Sequence, residues 1–266
     1  MIQKIRIGVL ISGGGSNLQA IMDACSAGRI DGKVVFVGSD NPGAQGLQRA
    51  KAHGVPSFVV DYRTVIREAR NGKLQERVPG DFDLERILVS QCVVKEDTEN
   101  DKRKSFFAER AIAESALLEK MSAFPFDLLV LAGFMRVLTP YFIDRVNKDS
   151  LRPRIMNIHP SLLPAFPGVD GYGDTFRYGC KVGGCTVHFV DYGEDTGPII
   201  GQKAFDILPE DTLESVRAKG LKIEWELYPA CIQLFAANRL KVVLKKHTLT
   251  TGTVSKRKTV EILPEG

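Results

Sequence analysis

A chain of 266 residues can bury a substantial core, and its 44% hydrophobic and 26% charged content is ordinary for a folded, water-soluble protein. The formal net charge of +4 comes from basic residues interleaved with acidic ones, which speaks against nucleic acid as a partner and suits small anionic ligands. The odd set of five cysteines (Cys25, Cys92, Cys180, Cys185, Cys231) holds no CxxC pair, and no apolar run reaches the ~20 residues of a membrane span, so a cytoplasmic enzyme with no membrane partner is expected.

The β-branched run Ile5-Arg6-Ile7-Gly8-Val9-Leu10-Ile11 predicts a first strand that ends in Ser12-Gly13-Gly14-Gly15-Ser16-Asn17. A helical pattern over residues 18–27 follows, with Leu18, Ile21, Met22 and Cys25 on one face. Residues 34–39 predict a second strand, 44–53 a second helix and 56–61 a third strand. Residues 63–105 carry charges of both signs and only brief apolar runs. They read as a partly ordered insertion on the third crossover, a solvated decoration, with a functional flap as the alternative.

Residues 127–132 are apolar on both faces, as in a buried parallel strand. Residues 154–159 and 185–190 predict two more strands. Residues 241–244 and 259–263 predict strands flanking a polar segment at 245–258, hence a terminal hairpin. The fold class expected is α/β: an open, mostly parallel, doubly wound sheet of Rossmann-like form with a C-terminal β-hairpin. One domain over residues 1–266 is expected, with the insertion at about 63–105 and the hairpin extension at about 241–266. Its oligomeric state is left as monomer or homodimer.

The glycine turn is neither a dinucleotide fingerprint, since Leu18 stands where a third glycine is needed, nor a P-loop, since no Gly-Lys-Ser/Thr follows. It still favours an anion. Backbone amides are uncovered there and the following helix points its positive end at the turn. Ser16 or Asn17 is expected to cap that helix. The alternative is a tight strand-to-helix turn and nothing more.

Asn157 and His159, two residues apart in a strand, project together at its carboxyl end, where open α/β sheets bind ligands. Pro160 stops the strand and restricts His159 to an extended conformation. Asp195 lies 36 residues beyond His159 in the turn Gly193-Glu194-Asp195-Thr196-Gly197-Pro198, where an ordinary turn aspartate is the competing reading. An amide, an imidazole and a carboxylate suffice to build and collapse a tetrahedral carbonyl intermediate, and no metal is required. His188 reads as a hydrogen-bonded core group or one that supports the site from behind, and a site made from Cys180, Cys185, His159 and His188 has poor zinc spacing.

The motifs Ser12-Gly-Gly-Gly-Ser-Asn17, Leu131-Ala-Gly-Phe-Met-Arg-Val-Leu138, Asn157-Ile-His-Pro-Ser-Leu-Leu-Pro164 and Val187-His-Phe-Val190 with Asp195-Thr-Gly-Pro198 resemble, in this order, the phosphoribosylglycinamide formyltransferase family. The likeness spans roughly residues 5–62 and 106–243. It implies formyl transfer from 10-formyltetrahydrofolate, as co-substrate, to the amine of glycinamide ribonucleotide in purine synthesis. Asn157, His159 and Asp195 match the family's catalytic trio. A protonated His159 and the Asn157 amide stabilise an oxyanion, while Asp195 keeps His159 charged and moves a proton through a water.

By the same resemblance the backbone of Gly13, Gly14, Gly15, Ser16 and Asn17 takes the phosphate. Gly133, Phe134 and Met135 line a channel between the two substrates, and Arg136, Val137 and Leu138 flank the pterin. Glu224 holds the ribose hydroxyls, and Arg103, with Lys104 and Arg110 as competitors, reaches the phosphate. Trp225, residues 169–184 and the insertion depart from the family pattern, which bears on the choice of acceptor amine. A formyltetrahydrofolate hydrolase, a formyltransferase acting on another amine and a non-catalytic folate- or nucleotide-binding module are the alternatives. The hydrolase and a transfer-RNA formyltransferase are disfavoured because an added N- or C-terminal domain is not expected here.

Overall fold

The strand β1 (Ile5–Ile11) runs through the middle of a seven-stranded sheet because its side chains are apolar on both faces. Ile7, Val9 and Ile11 pack on one side with the helix α1 (Ser16–Ser26), while Leu10 faces the other. The same alternation recurs in β4 (Leu128–Leu131): Leu128 and Val130 join the first layer, Leu129 and Leu131 the second. A period of two on a strand buried on both faces requires helices above and below, and they are present. This computed structural model describes residues 4–72, 74–95, 98–248, 250 and 253–265; Lys73, Glu96 and Asp97 of the expected insertion and Leu249, Thr251, Gly252 and Gly266 of the expected hairpin lie outside them.

Beside β1 stand β2 (Gly32–Ser39) and then β3 (Ser57–Val59), joined through the helix α2 (Gly46–Ala52). On its other side stand β4 and β5 (Ile155–His159), all five strands being parallel. The last two, β6 (Val182–Phe189) and β7 (Ile199–Asp206), add antiparallel. The order β3-β2-β1-β4-β5-β6-β7 reverses direction between β1 and β4. A crevice opens outside the carboxyl ends of strands at such a reversal, and the glycine turn and residues 132–138 both leave the sheet there.

The stretch expected as solvated decoration is helical instead. It contributes α3 (Tyr62–Asn71), α4 (Leu74–Arg77), α5 (Leu84–Ser90) and the first turns of α6 (Asn100–Ser122). Asp61 and Asp83 cap α3 and α5 by accepting from backbone N–H groups of Arg63, Thr64 and Arg86. Ile87, Phe107, Ala111 and Tyr141 are buried together, with Phe82, Leu84, Leu88 and Val94 packed around them. Burying a side chain the size of Ile87 or Phe107 contributes roughly 1.5–3 kcal/mol, which anchors the segment despite its many charges. Tyr141 belongs to α7 (Pro140–Val146), so this satellite core ties the insertion to the sheet's second layer.

Between β5 and β6 the helix α8 (Gly171–Arg177) occupies the segment singled out for its glycines and aromatics. The long α9 (Leu213–Ala236) lies under the first layer despite Pro229 inside it. Its buried Tyr228 places its hydroxyl 3.0 Å from the Leu131 carbonyl and 2.9 Å from that of Met156, one proton shared across the ends of β4 and β5. The terminal hairpin is longer than predicted, β8 (Leu240–Thr248) pairing with β9 (Val254–Ile262) from Leu240–Ile262 outward to Thr248–Val254. The polar residues expected to interrupt it continue the ladder, since cross-strand backbone pairing needs no apolar face. Among the described residues no helix is long and apolar enough to cross a membrane.

Candidate active site

A cleft of about 480 Å³, in the size range of small-molecule sites, opens at the reversal point. The glycine turn forms one wall. Gly15 has φ +72°, and a Cβ there would sit 2.7 Å from the Gly46 Cα, so its glycine is required by packing against α2. Gly13 and Gly14 have open space where a side chain would stand. Nothing in the fold demands glycine at those two positions, which face the cleft. The expected cap is absent: Gly15 is the N-cap of α1, without a side-chain bond, and Ser16 is already helical. The first amides of α1 therefore keep their donors for whatever enters the cleft.

Asn17 turns elsewhere. Its Nδ2 donates to Glu224 Oε2 at 2.6 Å, and the Tyr172 hydroxyl donates to Glu224 Oε1 at 2.7 Å. Glu224 is only 5% exposed, which overturns any reading of it as a solvated helix residue. Burial pushes its carboxyl pKa upward, against the two hydrogen bonds. Asn17 Oδ1 is buried and has no partner. Trp225, by contrast, is exposed and does not line the cleft.

The opposite wall is the segment after β4. Gly133, Phe134, Met135, Arg136, Val137 and Leu138 all line the cleft. They are tied to the glycine turn, since Ser12 N–H donates to the Gly133 carbonyl at 3.0 Å and Met135 N–H to Ser12 Oγ at 2.8 Å. Arg136 is oriented by Asp40, which holds its Nε at 2.5 Å. The segment ends at Thr139, whose N–H and hydroxyl donate to Glu114 of α6 at 2.8 and 2.5 Å. Glu114 is fully buried, and burial pushes its carboxyl up to about 7, against the Thr139 bonds and the charges of Arg110 and Arg145.

At the floor Asn157, His159, His188 and Asp195 converge. Asp195 Oδ2 lies 3.1 Å from His159 Nδ1, and Oδ1 lies 3.6 Å from His188 Nε2. Gly168 N–H donates to Asp195 Oδ2 at 2.9 Å. The aspartate adopts φ 55°, a left-handed conformation that aspartate tolerates better than most residues. Burial pushes its pKa up, but its closeness to His188 and His159 and the Gly168 N–H outweigh this and hold it below the usual carboxylate value. It is a carboxylate at neutral pH.

Each histidine's tautomer follows from its partners. His188 Nδ1 faces the Phe189 carbonyl at 2.9 Å and so carries a proton, leaving Nε2 to accept from the Asn157 amide at 3.2 Å. One N–H of Asn157 is thereby used and its amide plane fixed. His159 is 3% exposed; its Nε2 donates to the Phe166 carbonyl at 2.8 Å and its Nδ1 meets Asp195. Both ring nitrogens thus face acceptors, which favours a proton on each, while burial opposes the charge. Burial lowers the imidazole pKa, and Asp195 and the Phe166 carbonyl raise it without fully offsetting that loss.

Arg103 stands on α6 away from the cleft lining, its Nε buried without a partner, and Lys104 is exposed on the same helix. Arg110, a turn or two further on, lies with its guanidinium 5.7 Å from the Tyr62 ring centroid, as does that of Arg136. Sequence reasoning missed Tyr172, Asp170 and Arg217 as cleft residues. Arg217 and Arg177 both bond Asp170 at 2.9 Å. The glycines and aromatics of residues 169–184 were the only signal for that wall. His188 was seen as a core group, and only the register Asn157–His188 across β5 and β6 brings it to Asp195.

The formyl transferase family matches residues 5–232. The chain is 33% identical over 234 residues to the phosphoribosylglycinamide formyltransferase of Bacillus subtilis, covering 88% of this chain and 96% of that one. It is 37% identical to the trifunctional purine biosynthetic protein adenosine-3 of Drosophila melanogaster, with 87% of this chain matching 14% of that far longer protein. The crystal structure of glycinamide ribonucleotide transformylase 1 from Symbiobacterium toebii superposes with a TM-score of 0.69 at 36% identity, over 99% of this chain and 96% of the other. The chain belongs to the formyl transferase family, among its phosphoribosylglycinamide formyltransferases.

Proposed function

We propose that this chain transfers the formyl group of 10-formyltetrahydrofolate to the amine of glycinamide ribonucleotide, a step of purine biosynthesis. The observation that carries the proposal is the Asp195 carboxylate lying between His159 and His188, with the Asn157 amide beside it, on the floor of a cleft whose glycine turn is bare.

When the acceptor amine adds to the formyl carbon, the carbonyl oxygen takes on negative charge. Asn157 has a second amide N–H to offer it, preoriented by the bond to His188. His159 Nε2–H, held in the free protein by a neutral carbonyl, moves to the stronger anionic acceptor. The same negative charge, with Asp195 on the other side, raises the proton affinity of the imidazole at the moment it is needed. Asp195, ionised and 11% exposed, takes the proton of the attacking amine through a water and passes it to the departing folate nitrogen.

Gly13 and Gly14, with the uncapped start of α1, are the phosphate seat in this reading. A carboxylate has about four lone-pair positions, and Asn17 and Tyr172 take two of those on Glu224, leaving others for ribose hydroxyls. Residues 133–138 line the way between this acceptor end and the pterin. The test is release of tetrahydrofolate from 10-formyltetrahydrofolate with and without glycinamide ribonucleotide. Release only with the acceptor is the expected result. Equal release without it makes the protein a hydrolase, and no release in either case removes the proposal.

A further inference from the structure

The turn that carries Asp195 is held from outside by the insertion. After α5, Gln91 folds its side chain onto its own loop: Oε1 accepts from Val93 N–H at 2.9 Å and Val94 N–H at 2.8 Å, and Nε2 donates to the Val94 carbonyl at 3.0 Å. The strip so fixed pairs in parallel with the turn, Cys92 opposite Gly193, with Cys92 N–H donating to the Tyr192 carbonyl at 3.3 Å. The Tyr192 ring is gripped as well. Its hydroxyl donates to Asp144 of α7, whose other oxygen accepts from Arg86 of α5 at 2.9 Å.

We propose that this strip is a clamp that positions Asp195 for formyl transfer, making the insertion a working part of the site. Only Gly193 and Glu194 separate Tyr192 from Asp195, and both line the cleft. The inner side of the turn is held by Asp191, which accepts from Gly193 N–H at 3.2 Å and from the Thr196 hydroxyl at 2.6 Å. Even for aspartate a φ of 55° is a minority conformation, and the clamp adds an outer constraint that holds the turn in it. The 3.1 Å approach of Asp195 to His159 depends on it. A misplacement of about 1 Å at such a group costs up to about a hundredfold in rate.

The proposal rests on the formyl-transfer reading of Asp195, and two readouts keep the two apart. Cys92→Pro deletes the N–H that donates to the Tyr192 carbonyl, and Gln91, at φ −74° and ψ 146°, already has the backbone a following proline needs. Cys92→Ala keeps the N–H. Amide hydrogen exchange of residues 193–196 is measured on the ligand-free proteins, and kcat and acceptor KM on the same samples.

For Cys92→Pro the expected result is exchange faster by about tenfold or more and kcat lower by about ten- to a hundredfold, with acceptor KM within about twofold. Cys92→Ala is expected to match the parent in all three. Arg86→Ala is expected to act in the same direction and Arg86→Lys to restore it. Arg86 is largely exposed, so this pair decides the matter should the proline variant fail to fold. Parental exchange and kcat in a folded Cys92→Pro or Arg86→Ala protein overturn the clamp. Faster exchange in a protein whose parent transfers no formyl group leaves the clamp standing and removes the assigned reaction.

Discussion

Replacing Glu114 with glutamine removes a fully buried carboxyl while keeping its shape and an acceptor for Thr139. In the folded protein this carboxyl titrates near 7, against an ordinary value of 4.5. The folded state therefore holds a proton that the unfolded state has lost across that window, and stability falls as pH rises through it. A gap of about 2.5 pH units at about 1.36 kcal/mol each gives about 3 kcal/mol, a large part of a typical domain's stability. Urea unfolding of both proteins between pH 4.5 and 8.5 isolates the effect, because every other titrating group is shared. The variant is expected to gain about 3 kcal/mol on the parent from the acid end of the range to the alkaline end. Parallel stability curves would refute the claim that burial at Glu114 outweighs its two Thr139 bonds and the charges of Arg110 and Arg145.

Asp195→Asn and His159→Ala are each expected to lower kcat by about a hundredfold or more with circular dichroism unchanged; turnover near the parent's in either purified variant contradicts the assigned roles. Gly14→Val fits the open space at that position, so it is expected to fold normally and to raise acceptor KM by about tenfold, and an unchanged KM means no phosphate sits there. Tyr172→Phe takes one of two donors from a buried carboxylate, and acceptor KM is expected to rise by about tenfold with kcat held, as measured by steady-state kinetics at saturating donor; a kcat loss alone would place Tyr172 in the chemistry instead.

The sheet was legible because β4 is an unbroken apolar run, β1 is apolar from Ile7 to Ile11, and the glycine turn follows β1 directly. Asn157 and His159 were legible together because a strand puts alternate residues on one face. What escaped had a common cause. The helices of the insertion bury single apolar residues such as Ile87 and Phe107 among charges, too sparsely to show a stripe, and the partner that completes their core, Tyr141, comes from α7. Tyr172 and Glu224 lie 52 residues apart, and only the packing of α8 on α9 joins them. For His159 the sequence supplies the neighbouring carboxylate but not the depth of burial that opposes it.

The shared proton of Tyr228 has a consequence for how two reactants meet. Residues 133–138 leave from the end of β4, and Asn157 sits on β5 opposite Leu131. One phenol therefore staples β4, whose end leads into the cleft lining, to β5, which carries Asn157, and sets the spacing between them from beneath. The effective molarity of an amine and a formyl carbon brought together here depends on that spacing holding to a fraction of an ångström. On the proposed reading, a tyrosine that touches neither reactant sets their spacing, and the helix carrying it belongs to the geometry of the reaction.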